Sequence, residues 1–483
     1  MTESFYYSRF IKELEDRFDV NYNNPAYDII NSLLSKACYS VLALGDSRCL
    51  KTITKGKTPK GLHYIDDGVP FIGSTQIVAG SVTIDDAPKI PMKIHRTRLA
   101  GSQIEKGNVL ITMAGTIGRS AAYNYDDECN ANQAIAILDI NQEEVEPEFL
   151  ARYLNSQLGQ LFFCKLQTLS SQPNINFEEI KRIKLILPHT TEEQKNIVIQ
   201  IQAIETEAKK LENEAETIAE EAASTLLNEL GVNMPRREMS SYFFKSGEEK
   251  TISFSVMPSE ISDRMQYLFF HPKYALLESM QERYSTVRFE NICAEPIHRG
   301  EQPEYEEIGV VTVVKTVNLK NSYIDYENCL KVSQDFFEKY PSAQIKKNDI
   351  LVASTGLTSM GKAVVHIKDE PTIVDGHISI VRLKEGYDPY FVTYFLRSHL
   401  GQIQFEKWFS GSSGQIEIQP EDLNQFVLPD NSEQGVSSEE QIRIASEITK
   451  RLDNSRLLRA KSRKKWAEAK DVFEQSLYVS GYP

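Results

Sequence analysis

From Glu192 to Leu230 small or apolar residues return at Ile197, Ile201, Ile204, Ala208, Leu211, Ala215, Ile218, Ala222 and Thr225. The steps alternate between four and three, which is the seam of a heptad repeat. No Gly or Pro interrupts the run. Gly231 and Pro235 stop it, and Thr191, ahead of Glu193 and Gln194, supplies a cap region at its start. The predicted helix is roughly 60 Å long. An amphipathic helix of that length needs a partner to cover its seam. A second helical pattern runs from about Ser438 to Tyr478. It carries Ile444, Ile448, Leu452, Leu458, Trp466, Ala469, Phe473 and Leu477 along one side, with a polar break at Ser455. Elsewhere the texture is mixed. VLITMAG from Val109, AIAILDI from Ala134 and IKLILP from Ile183 read as strands. Glu143 to Phe163 reads as one helix with acids in its first turn.

The chain says nearly the same thing twice. KGNVLITMAGTIGRSAAY from Lys106 answers to KNDILVASTGLTSMGKAVVH from Lys347, and NQAIAIL from Asn132 answers to DGHISIV from Asp375. FLARYLNSQLGQ from Phe149 answers to FVTYFLRSHLGQ from Phe391. SSQPNINFEEI from Ser170 answers to SSGQIEIQPEDL from Ser412. Glu-Glu-Gln opens each long helix, at Glu192 and at Glu439. The predicted organisation is a globular domain over residues 1–190, a helix over 191–232, a second globular domain over 233–436 and a second helix over 437–480. The fold class is α+β, with two homologous mixed α/β domains and a largely antiparallel sheet in each. If the two helices pair as an antiparallel coiled coil, through Ile197, Ile201, Ile204, Leu211 and Ile218 on one and Ile444, Ile448 and Leu452 on the other, the molecule acquires a pseudo-two-fold axis.

Charge supports the pairing. Glu192 to Leu230 carries ten acids against three bases, and Glu439 to Lys470 carries ten bases against five acids. Opposite charges flanking a seam set partner and orientation. The whole chain of 483 residues carries a net charge of -14, which argues mildly against nucleic acid, but distribution matters more than the total. Arg48, Lys51, Lys55, Lys57 and Lys60 lie together without one acid. Lys89, Lys93, Arg96, Arg98 and Lys106 have only Glu105 among them. Such clusters suit phosphate contacts. The Thr-Gly turns end in Arg119 and Lys362, while Gln172, Asn174 and Asn176 have amides able to read adenine edges. A pseudo-dimer with two domains held apart by a helical ruler suits duplex DNA, whose features repeat along its axis.

Other chemistry is poorly supported. Asn24-Pro25-Ala26-Tyr27 lacks the second proline of an adenine methylase motif, and its counterpart is His271-Pro272-Lys273-Tyr274. Gly56-Lys57-Thr58 lacks the earlier glycine of a phosphate loop, Lys51 standing in its place. The six cysteines form no C-x-x-C pair, and no His, Cys and carboxylate spacing suggests a metal. His298 and His377 read as structural or DNA-proximal. No cofactor and no small-molecule substrate is expected. No apolar run approaches a membrane span, the first residues lack a signal-peptide pattern, and the expected location is cytoplasmic.

The ordered set of motifs, occurring twice, resembles the specificity subunit of type I restriction–modification systems. The set comprises Arg17-Phe18-Asp19 with Tyr22, Pro25 and Tyr27; Gly56-Lys57-Thr58-Pro59 followed by Phe71-Ile72-Gly73; a Thr-Gly-x-x-Gly turn; and a Leu187-Pro188 junction running to Glu193-Gln194. The resemblance covers essentially the whole chain. It implies target recognition domains that each read half of a bipartite site in double-stranded DNA. It also implies helices that set the spacing and dock two methylation subunits, a restriction subunit joining that core, and no catalysis in this chain. The second repeat departs from the pattern. Ile297 to Pro303 is less basic than its counterpart, leaving Arg299 as its contribution, and Arg264-Met265-Gln266 replaces the opening signature. A scaffold that binds only proteins is the alternative reading.

Overall fold

The computed structural model describes residues 19–78, 80–168, 173–232, 267–271, 274–303, 309–320, 322–412 and 415–478. The chain separates into two compact units, residues 1–211 with 461–483 and residues 212–460. Each unit therefore takes one half of each long helix. The Arg17 and Arg264 signatures, Pro235 and Gln172 lie outside the described residues.

In the first unit, β1 (Leu50–Lys55), β2 (Val109–Thr112), β3 (Ser120–Ala122) and β4 (Ile135–Ile140) form an antiparallel sheet in the order β1-β4-β2-β3. Val109, Leu110, Ile111, Ile135 and Leu138 have no exposed surface, because both faces of the sheet are covered. One face packs on helix α1 (Pro147–Asn155) and its neighbours. The other packs on Ile72, Ile77 and Cys129. A second small sheet runs through Lys89–Ile90, Val69–Ile72, Cys129–Ala131 and Gln103–Ile104, and Cys129–Ala131 lies parallel to Val69–Ile72.

The second unit repeats this plan. Strands β5 (His298–Arg299), β6 (Ile350–Ala353), β7 (Ala363–Val365) and β8 (Ile378–Val381) are ordered β5-β8-β6-β7 and are again antiparallel. Helix α3 (Pro389–Arg397) takes the place of α1. One parallel pair recurs, between Val311–Val314 and Thr372–Val374.

The helix expected from Glu143 to Phe163 is in fact two, Pro147–Asn155 and Gln157–Leu166. Ser156 is extended between them and its side chain accepts from Gly159 N. A Cβ on Gly159 would lie 2.4 Å from the Tyr153 carbonyl oxygen, so the tight corner requires glycine. Gly401 repeats the arrangement against Leu396.

The long helices α2 (Thr191–Glu229) and α4 (Ser438–Leu477) pack together as a coiled coil. The cap of α2 is Thr190, not Thr191. Its hydroxyl accepts from Glu193 N at 3.1 Å and the Glu193 carboxylate accepts from Thr190 N, a capping box. At the far end Gly231 is left-handed, with φ of 60°. Along α2 one column of the heptad, Ile201, Ala208, Ala215 and Ala222, is fully buried. The other, Ile197, Ile204, Leu211 and Ile218, is half-buried.

On α4 Ile444 and Ile448 are buried and Leu452 is half-buried. In the first unit the Ser462 hydroxyl donates to the Ala208 carbonyl at 2.9 Å. In the second Ser455 does the same to Ala215 at 2.5 Å. Ser455 is thus a seam residue and not a break, while Trp466, expected in the seam, is 42% exposed. Going seven residues forward on α2 meets seven residues back on α4, so the pairing is antiparallel. Flanking ion pairs follow the predicted charges: Lys465 with Glu207 in the first unit, and Arg451 with Glu221 and Arg443 with Glu229 in the second.

The Glu-Glu-Gln junction has a structural reason. Gln194 is fully buried. Its amide donates to the Glu144 carbonyl at 2.8 Å, and its oxygen accepts from Glu146 N at 2.8 Å. Gln441 likewise accepts from Asp388 N and donates to the Val436 carbonyl. Each glutamine fastens a long helix to the N-terminal end of the domain helix it packs on.

Candidate DNA interface

At one end of the first unit's sheet four segments converge. The chain leaving edge strand β1 crosses toward β4, with Gly56 N donating to the Ile135 carbonyl and Lys57 N to the Ala131 carbonyl, both at 3.0 Å. A Cβ on Gly56 would lie 2.1 Å from the Asn132 carbonyl oxygen, so only glycine allows this approach. The turn before β4 is held by Asn132, whose side chain accepts from Ala134 N at 2.9 Å. The turn after β2 joins it, as Met113 N donates to the Ala134 carbonyl at 2.7 Å. The fourth segment arrives when Ile175 N donates to the Met113 carbonyl and Asn174 bridges to Ala114.

The exposed rim of this junction carries Lys55, Lys57, Thr58, Gln133, Thr116 and Asn174. The Thr58 hydroxyl donates to the Gln133 side-chain oxygen. Chemically, the cations of such a rim can meet phosphate oxygens, and its amides and hydroxyls can hydrogen-bond base edges.

The second unit builds the same junction from different side chains. Gly300 N donates to the Ile378 carbonyl, Glu301 N to Val374, Ser354 N to His377 and Ile418 N to Ser354. A Cβ on Gly300 would lie 2.1 Å from the Val374 carbonyl oxygen. Asp375 takes the place of Asn132 and accepts from His377 N at 3.1 Å. Where the first unit presents Lys57, the second presents Glu301. Where the first presents Asn174, the second has Glu417, bridged to Thr355. Thr355 Oγ1 and His377 Nδ1 are 2.9 Å apart. Arg299 is held inward, one nitrogen on the Glu417 carboxylate at 3.2 Å and another on the Ile418 carbonyl at 2.8 Å.

The remaining candidates fall in several places. Lys51, at a bulge in the pairing of edge strand β1, and Lys55 at its end are both exposed. Arg98 donates to the Lys60 carbonyl, which ties the second basic cluster to the end of the first. Arg96 lies 3.5 Å from the Glu128 carboxylate, and Lys106 is paired with Asp126 at 2.9 Å. Arg48 stands at the opposite end of β1 from Lys57 and makes a two-nitrogen contact with Asp46, whose carboxyl is held down at about 2 by that guanidinium. Arg119 and Lys362 occupy the same place after the Thr-Gly turn, and their carbonyls accept from Thr112 N and Ala353 N. Asn176 is a helix cap, its side chain accepting from Glu179 N at 3.0 Å. Gln133, Thr58, Thr355 and His377 join the site only through turn assembly. In the sequence His377 reads as structural or DNA-proximal. The one sequence signal for Gln133 is its place just ahead of the repeated strand.

A family model for the type I restriction modification DNA specificity domain matches residues 49–219 and again residues 284–458. A curated relative, the type I restriction enzyme EcoBI specificity subunit of Escherichia coli, is 24% identical over 189 residues, which cover 38% of this chain and 36% of the relative. The matched segment thus spans little more than a third of that protein. Among solved structures, the S subunit of a type I restriction–modification system from M. genitalium has 12% identity and a TM-score of 0.46, covering 92% of this chain and 97% of its own. The HsdS subunit from Thermoanaerobacter tengcongensis has 14% identity and a TM-score of 0.36, covering 90% and 95%. Since the two matches to the family model together take in well over half of the residues, the chain belongs to the type I restriction–modification DNA specificity domain family.

Proposed function

We propose that this chain is the non-catalytic sequence-reading subunit of a type I restriction–modification complex, each globular domain reading one half of a split site in duplex DNA. The observation that carries the reading is the conserved plan of the two junctions beside their divergent side chains. Gly56 and Gly300 make the same close approach, and Met113 and Ser354 make the same main-chain links. The rims differ: Lys57, Thr58, Gln133 and Asn174 in one, Glu301, Thr355, His377 and Glu417 in the other. A shared scaffold with different donors and acceptors is what reading two different half-sites requires. Lys51, Lys55, Lys57, Lys60, Arg96, Arg98, Arg119 and Lys362 supply phosphate contacts in this reading, and Asn174 and Gln133 supply base contacts.

The paired helices fix the separation of the half-sites and dock two methylation subunits, which bring the methyl donor. A restriction subunit completes the complex, which works in the cytoplasm. No helix among the described residues is long and apolar enough to cross a membrane.

Affinity for duplex DNA across a salt series tests the reading. A DNA reader loses affinity steeply as salt rises, in proportion to its phosphate contacts. A flat response would favour a scaffold that binds only proteins.

A further inference from the structure

The two units differ at one buried position beside the sheet. In the first, Asn155 at the end of α1 zips the helix to β3. Its amide donates to the Ser120 and Ala151 carbonyls at 2.6 and 2.7 Å, and its oxygen accepts from Ser120 N at 3.2 Å. In the second, Arg397 ends α3 at the corresponding place and Ala363 replaces Ser120. Among the described residues no side chain reproduces the zipper. Arg397 Nη1 is buried without a hydrogen-bond partner, and so is Thr393 Oγ1 one turn earlier. Burial lowers the Arg397 pKa, with no carboxylate acting against it. A guanidinium withdrawn from water without an anion is costly.

Two cavities meet at Arg397. One, of about 380 Å³, is walled by Tyr323, Tyr326, Tyr390 and Tyr394. The other, of about 290 Å³, is lined by Lys320, Lys362, Thr358 and Gln402, and among the described residues no carboxylate lines it. Two further charges bear on them. Arg456 pairs with Asp453 at 3.3 Å on the wall of the first cavity, and Lys320 lies 3.7 Å from Asp325.

We infer that the second unit holds a binding site for a small aromatic phosphate of mononucleotide size, with the phosphate on Arg397, Lys320 and Lys362 and the ring among the tyrosines. Guanidinium and ammonium donors suit phosphate oxygens. Arg456 lies over the Tyr323 ring at 4.8 Å and Lys368 over the Tyr326 ring at 4.7 Å, so the planar ring falls to Tyr390 and Tyr394, and cavities of this size hold ligands of this class. The site shares Lys362 with the contacts proposed for DNA, but Arg397, Lys320 and the tyrosines have no part in that reading.

The test is calorimetry on the full-length chain with adenosine 5′-monophosphate, adenosine and inorganic phosphate as probes. The monophosphate is expected to bind with a Kd below about 1 mM and more tightly than either fragment. Arg397→Gln is expected to weaken it roughly ten-fold or more, while the free variant melts no lower than the parent because a buried unpaired cation is gone. Lys320→Met, at the cavity wall, is expected to weaken binding less. Absence of binding at millimolar monophosphate overturns the proposal, as does equal affinity for adenosine or phosphate alone. Unchanged affinity in both variants also overturns it.

Discussion

Ser462 donates its hydroxyl to the main-chain carbonyl of Ala208, which has no exposed surface. The two helix backbones approach closely there because both seam residues are small. Ala208→Leu would insert three heavy atoms where none fits. It is expected to cost about 1–3 kcal/mol, read as a fall in denaturant midpoint, and Ser462→Ala only about 1 kcal/mol. An Ala208→Leu variant as stable as the parent would show that the seam is loosely packed.

Gln194 is buried with hydrogen bonds to Glu144 and Glu146. Gln194→Ala removes them and strands two main-chain groups. A loss of about 1–3 kcal/mol is expected. Hydrogen exchange should locate the loosening at the Glu146 amide and the first turns of α2. Exchange unchanged at Glu146 would contradict the assigned bond.

Gly56→Ala places a Cβ 2.1 Å from a main-chain oxygen. The crossing must shift and carry Lys57 and Thr58 with it. DNA affinity is expected to fall while the second unit keeps its stability. Lys57→Ala, by contrast, should weaken binding to all sequences alike and reduce the salt slope by about 1. If Lys57→Ala changed sequence preference instead, its assignment to phosphate would be wrong.

His366 is buried, with Nδ1 2.9 Å from the Tyr326 hydroxyl. Burial lowers its pKa below the ordinary 6.5, despite Asp349 and Asp369, which pull it up. The unfolded chain therefore binds the proton more readily. Stability is full above pH 6.5 and is lost as pH falls from there toward the folded value. Asp375 is raised by burial and acts in the opposite sense at more acid pH. The difference between the parent and His366→Gln isolates the histidine: the parent's stability should fall relative to the variant's below pH 6.5. Parallel curves would contradict this.

The heptad seam was legible because period and burial coincide at Ile201, Ala208, Ala215 and Ala222. Ser455 misled because a polar side chain can serve a seam by bonding main chain across it. Trp466 misled because size and apolarity do not fix which face a residue takes. The doubled domains were legible from repeated motifs, but the helix break at Ser156 depends on a corner closing on Gly159. At the candidate interface, the cation clusters of the sequence include Lys55 and Lys57, which the fold leaves exposed on one rim. They gave no sign that Arg48, Arg96 and Lys106 each face a nearby acid. Gln133 and Thr58 are 75 residues apart, and only the turn assembly makes them neighbours.

The central claim is that each globular domain reads its own half-site. Exchanging residues 233–436 for the matching domain of another family member, and mapping methylated adenines across the genome of the host cell, tests it most directly. The account predicts a split motif in which one half changes while the other half and the gap stay the same. A motif altered in both halves, or in neither, would contradict it.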